Sequence, residues 1–105
     1  MRKVFADTSF LVAFYNKSDA NHAEARKLIQ LYDKITLIIS DYIFDEFLTV
    51  LLARENKLIS IDAGEKILND KKICLIKIDN EVFQKAWFIY HRFKDKNWSF
   101  TDCTS

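Results

Sequence analysis

The sequence predicts an α/β fold in three layers, with a central parallel sheet between two layers of helices. Two observations carry this. Short apolar stretches at 2–6 (RKVFA), 36–39 (TLII) and 73–78 (ICLIKI) alternate with longer segments of helical periodicity. Pro is absent and Gly64 is the only glycine, which excludes a turn-rich all-β architecture.

The elements follow in order. Residues 2–6 read as a strand apolar on both sides of the pleat, as in a covered parallel strand. After Asp7, the spacing of Phe10, Leu11, Phe14 and Tyr15 turns the chain into a short helix. Ser18 or Asp19 can cap a second helix, with Ala20, Ala23, Leu28, Ile29, Leu31 and Tyr32 available to pack. The β-branched run 36–39 is a second buried strand. Ser40 and Asp41 offer an N-cap to a helix reaching about Asn56, whose wide apolar face includes Ile43, Phe47 and Leu51. The segment SIDAGEKILND reads as another helix in which Asp62 and Glu65 have the spacing of a capping pair. A third strand at 73–78 precedes a helix opened by Asp79 or Asn80, with Val82, Phe83, Ala86, Trp87, Ile89, Tyr90 and Phe93 on its buried side. In SFTDCTS, Ser99 is an N-cap and Asp102 sits at the third helical position. The sequence stops about one turn into this helix, so the last element reads as cut off.

With 105 residues the chain holds a single domain, 1–105. Half the residues are hydrophobic, enough apolar surface to offset the entropy of ordering, which excludes a disordered chain. The net charge of +1 lacks the basic excess usual in nucleic-acid binders. A local rim of Lys17, Lys57, Arg92, Lys94 and Lys96 can supply one, or these are ordinary solvated cations. Cys74 and Cys103 have no metal-type spacing; Cys74, inside an apolar run, reads as a buried free thiol. Without a disulfide framework, the expected compartment is the cytoplasm. No stretch is long and apolar enough to span a bilayer.

Three acids stand out. Asp7 interrupts the apolar run VFADTSFLVAF at the carboxyl end of the first strand, where open parallel sheets hold their sites. Glu46 borders the apolar face of the third helix, and Asp102 opens the last one. Two carboxylates about 5 Å apart repel by roughly 3 kcal/mol at an effective dielectric near 20. A hard divalent cation, Mg²⁺ or Mn²⁺, removes that cost, and it can activate water and neutralise charge on a phosphodiester. Each acid also has a plainer reading: Asp7 and Asp102 as caps, Glu46 as a solvated helix residue. Thr8 and Ser9 can orient Asp7 or satisfy backbone groups in the turn.

DTSFLVAF after a short strand, then DYIFDEFLTVLL, then WSFTDCTS, resemble the PIN-domain family, nearest to VapC-type toxins, the ribonuclease halves of toxin–antitoxin pairs. The resemblance implies a Mg²⁺- or Mn²⁺-dependent endoribonuclease, with Asp7, Glu46 and Asp102 as the catalytic and metal-binding acids. Thr8 and Ser99 match accompanying hydroxyl positions, and Ser9 stands beside them. It further implies an RNA substrate, a cognate antitoxin and a homodimer. Family members continue through another helix and strand, often carrying a further acid, for which this sequence has no position. Two readings therefore stay open: a nuclease, or a catalytically dead PIN-like fragment that binds protein. A third, a haloacid-dehalogenase-type phosphatase or a receiver domain, fits poorly, because the former wants Asp where position 9 is Ser.

Overall fold

The computed structural model describes residues 2–32 and 34–104. Its elements are β1 (Arg2–Phe5), α1 (Thr8–Tyr15), α2 (His22–Gln30), β2 (Ile35–Ser40), α3 (Asp41–Arg54), α4 (Lys57–Asn69), β3 (Ile73–Ile76), α5 (Asn80–Arg92) and α6 (Phe100–Cys103). The expected alternation of strands and helix pairs is present. The three strands form one parallel sheet in the order β1-β2-β3, with Val4 opposite Leu37 and Leu37 opposite Ile73. Helices flank it in the α/β/α arrangement.

Topology explains the layering. Both crossovers, β1 to β2 and β2 to β3, step the same way across the sheet, and right-handed connections then place α1–α4 on one face. Ile35, Leu37 and Ile39 project onto that face and meet Leu11 and Phe14 of α1, Ile29 of α2, Phe47 and Leu51 of α3, and Ile67 of α4 in one core cluster. Alternate residues of β2, Thr36 and Ile38, point the other way and are only half-buried. α5 and α6 form the remaining layer, joined to the first turn of α3, where Phe83 of α5, Phe100 of α6 and Tyr42 of α3 pack with ring centroids 5.2–6.5 Å apart.

Several local expectations are corrected by packing. β1 is not a covered strand: all four residues are exposed, and Phe5 is 73% accessible, because among the described residues β1 pairs only with β2. Cys74 is exposed, since the period-2 alternation of β3 turns it away from the core that Ile73 and Leu75 approach. α2 starts at His22, later than Ser18 or Asp19 would set it; its N-cap Asn21 makes no side-chain cap bond. Only Ala25 and Ile29 of α2 are buried, while Leu28, Leu31 and Tyr32 stay accessible. α4 begins at Lys57, capped by Asn56 through a 2.9 Å bond from Ile59 N, so Asp62 caps nothing and instead pairs with Lys66 at 3.1 Å. On α5, Ala86 alone is buried; Phe83, Trp87, Tyr90 and Phe93 are exposed.

Three caps appear where the side chains predict them. Ser40 Oγ accepts from Ile43 N at 3.1 Å and Asp79 Oδ1 from Val82 N at 2.9 Å. Ser99 and Asp102 form a reciprocal capping box. Ser105, the last residue of the WSFTDCTS motif, lies outside the described residues. No described helix is long and apolar enough to cross a membrane.

Candidate active site

Asp7 sits two residues past β1, in extended conformation, as the N-cap of α1. Its Oδ1 accepts from Phe10 N at 2.9 Å and from Ser9 Oγ at 3.2 Å. Those bonds satisfy an orphan helix donor and fix the carboxylate's orientation. Both bonds use Oδ1. Capping and ligation are therefore compatible roles for one carboxylate.

Asp102 repeats the pattern on α6. Its backbone N donates to Ser99 Oγ at 3.0 Å, and its Oδ2 accepts from Ser99 N at 3.1 Å. Glu46 lies half-buried on α3, with Val50 and Arg54 at successive i+4 positions on the same helical stripe.

The tertiary structure brings these residues together. A cleft of about 240 Å³ is lined by Asp7, Thr8 and Ser9 of the β1–α1 junction, Glu46 and Arg54 of α3, and Asp102 of α6. Asp7 and Asp102 are 95 positions apart in the chain. Ser99 does not line this cleft; it acts on it through the capping box that holds Asp102. Thr8 is 8% exposed, and its Oγ1 is the one buried side-chain polar atom without a hydrogen-bond partner among the described residues.

Arg54 was not among the residues singled out by sequence. The available signal was its position two turns beyond Glu46 on the same stripe. Its Nη1 is tied to Asp19 Oδ2 at 3.2 Å, outside the cleft lining, so this pairing does not enlist the cleft's carboxylates.

Elsewhere, Tyr15 donates to Asp70 Oδ2 at 2.8 Å. Burial, and then that bond to a carboxylate, push the phenol's pKa well above its ordinary value. His22 Nδ1 contacts Ala13 O at 2.8 Å, holding α2 against α1, and is no part of the acid cleft.

The PIN-domain family model matches residues 4–105. The chain belongs to the PIN-domain family. Its structure is similar to the crystal structure of Mycobacterium tuberculosis VapC20, a sarcin-ricin loop cleaving toxin. The TM-score is 0.83 at 25% identity, over 96% of this chain and 76% of that one. No match is found among curated proteins.

Nucleases of the PIN family generally depend on a divalent metal. The residue types in this cleft fit one: carboxylate and hydroxyl oxygens are hard donors, and the orphaned Thr8 hydroxyl adds an unsatisfied polar atom beside them. The carboxylates are not drawn into a closed cage, since among the described residues no group of three or more His, Cys, Asp or Glu side chains is arranged to hold a metal. A Mg²⁺-type ion tolerates this, because it usually takes one or two carboxylates and keeps several waters.

Proposed function

We propose that this PIN domain is a metal-dependent endoribonuclease, the toxin of a toxin–antitoxin pair, working in the cytoplasm on an RNA phosphodiester. The observation that supports this most is the single cleft lined by Asp7, Glu46 and Asp102, carried on three distant segments of a chain with the PIN fold. In this reading the three acids hold Mg²⁺ or Mn²⁺. When bound, the ion supplies neutralisation of phosphate charge and a more acidic water. The chain's own residues do the rest. Oδ1 of Asp7 and Oδ2 of Asp102 are anchored by helix caps, which presents the carboxylates in fixed orientations. Val12 and Val50 add apolar surface to the cleft lining, and Arg54 offers a cation to the substrate backbone.

The likeness to VapC20 supports an antitoxin as the protein partner, and a homodimer as the working assembly is part of the same reading. A catalytically dead, protein-binding PIN-like chain is the second reading, favoured by the open arrangement of the acids. One experiment separates them: cleavage of a structured RNA by the chain and by Asp7→Asn, in EDTA and in Mn²⁺. Cleavage that needs both Asp7 and the ion is expected. Equal products from both proteins, or none from either, would remove the nuclease reading.

A further inference from the structure

A cleft lined by three carboxylates does not by itself attract a polyanion, and the whole chain carries only +1. Cations concentrate elsewhere. Residues 91–98, HRFKDKNW, carry Arg92, Lys94 and Lys96 against the single Asp95. Here a groove of about 570 Å³ lies between the end of α5 and the segment leading into α6.

Trp87, Tyr90 and Trp98 line the groove together with Lys94 and Lys96. Both tryptophans of the chain are thus in one place, and each is about half exposed, 51% and 45%. The rings are braced by neighbours: Trp87 stacks on Tyr90 at 6.2 Å and 26°, and Phe93 lies 5.6 Å from Trp98. Braced rings lose little rotamer freedom when something stacks on them.

The lining separates this groove from the other apolar surfaces. The cavity at the β1 edge mixes Phe5, Phe10 and Tyr32 with the aliphatic Val4, Leu28 and Leu37, and the one between α3 and α4 contains Leu48, Ile61 and Leu68; aliphatic surface of this kind packs against protein. Among the described residues, none that lines the α5–α6 groove is aliphatic. Aromatic faces interleaved with lysines suit nucleobases and phosphates.

The groove also adjoins the acid cleft. Ser99 lines the groove, Asp102 lines the cleft, and the capping box locks the two together across one helical turn. We propose that the α5–α6 groove is a nucleobase-stacking subsite for unpaired RNA, with Trp87, Tyr90 and Trp98 receiving bases and Lys94 and Lys96 the flanking phosphates. RNA as the ligand rests on the nuclease reading; the stacking chemistry rests on the groove.

Because both tryptophans lie there, tryptophan emission, excited beyond the tyrosine band, reports on this site alone. The full chain, in EDTA so that nothing is cut, is titrated with oligo(U) and with an abasic oligomer of equal length. Saturable quenching by oligo(U), and little by the abasic strand, is expected. Trp98→Ala should weaken binding about 5- to 100-fold, with Trp98→Phe close to the parent protein. Lys94→Ala with Lys96→Ala, both on exposed side chains, should lower the salt slope by about 1.4, at about 0.7 per phosphate contact. The proposal is overturned if no RNA binds, if RNA binds without changing tryptophan emission, or if the abasic strand quenches equally. It is also overturned if emission shifts to the blue with protein concentration alone, which would place a second copy of the chain in the groove. Loss of cleavage with stacking retained counts against the nuclease reading only; cleavage with silent tryptophans counts against the groove only.

Discussion

Arg54 donates from Nη1 to Asp19 Oδ2 at 3.2 Å, tying the last turn of α3 to the loop between α1 and α2 while it lines the acid cleft. Asp19 also accepts from Asn21 N at 2.8 Å, and its side chain is only 13% exposed, so it is the fixed member of the pair. The guanidinium is anchored without engaging Asp7, Glu46 or Asp102 through that bond. An unanchored arginine could instead pair with those carboxylates and compete with any cation they bind.

Arg54→Ala is therefore expected to cost about 1 kcal/mol of stability or less, as a half-exposed ion pair should. Its larger effect falls on substrate. KM should rise about tenfold with kcat little changed, a loss of about 1.4 kcal/mol of binding. Steady-state cleavage kinetics alongside urea denaturation separate the two quantities. A fall in kcat at constant KM would contradict this role.

Asp7 allows capping and ion binding to be pulled apart. Asn caps helices about as well as Asp, so Asp7→Asn should keep the parent melting temperature in EDTA, while Asp7→Ala should lose about 1 kcal/mol. Mn²⁺ at about 100 times its Kd should stabilise the parent chain by about 2.7 kcal/mol. Both variants should gain much less. Thermal melts of three proteins with and without Mn²⁺ decide the matter, and an equal gain in all three would place the ion elsewhere.

Gly64 lies where α4 crosses α3, and a Cβ there would meet Leu48 Cδ2 at 2.9 Å and Phe44 Cζ at 3.6 Å. Leu48 borders an open groove, so the tip of its side chain has room to swing. The gain in helix propensity from Gly to Ala, about 1 kcal/mol, roughly offsets that adjustment. Gly64→Ala should thus stay within about 1 kcal/mol of the parent, whereas Gly64→Val, with two further methyls against Leu48 and Phe44, should cost about 2 kcal/mol or more. Chemical denaturation measures both.

Tyr15 makes stability depend on alkaline pH. Its folded-state pKa is raised above the ordinary value near 10, so the folded chain holds this proton more tightly than the unfolded one. The contribution is complete below about pH 10 and declines as pH climbs past it. Denaturation midpoints should fall above about pH 10, and less steeply in Tyr15→Phe. An ultraviolet titration of the parent and of Tyr15→Phe should show a late-ionising phenol in the parent that the variant lacks.

Local chemistry made much of this protein legible. The order of strands and helix pairs follows from the switch between apolar runs and helical spacing. The caps at Ser40, Asp79 and Ser99 were readable because a cap bond spans only three residues. Where a stronger competitor lay nearby, the same reasoning slipped: Asn56 took the start of α4, and Asp62 was left to an ion pair with Lys66.

By itself, then, the sequence determined the α/β class, the run of elements and the placement of three acids at helix starts or on an apolar border. Only the tertiary structure decided that those acids share one cleft with Arg54, that Phe5 and Cys74 face outward, and that both tryptophans meet in one groove. The reason is range. Periodicity and caps act within about one helical turn, whereas burial and clustering depend on which strand lies beside which and on which face each crossover packs.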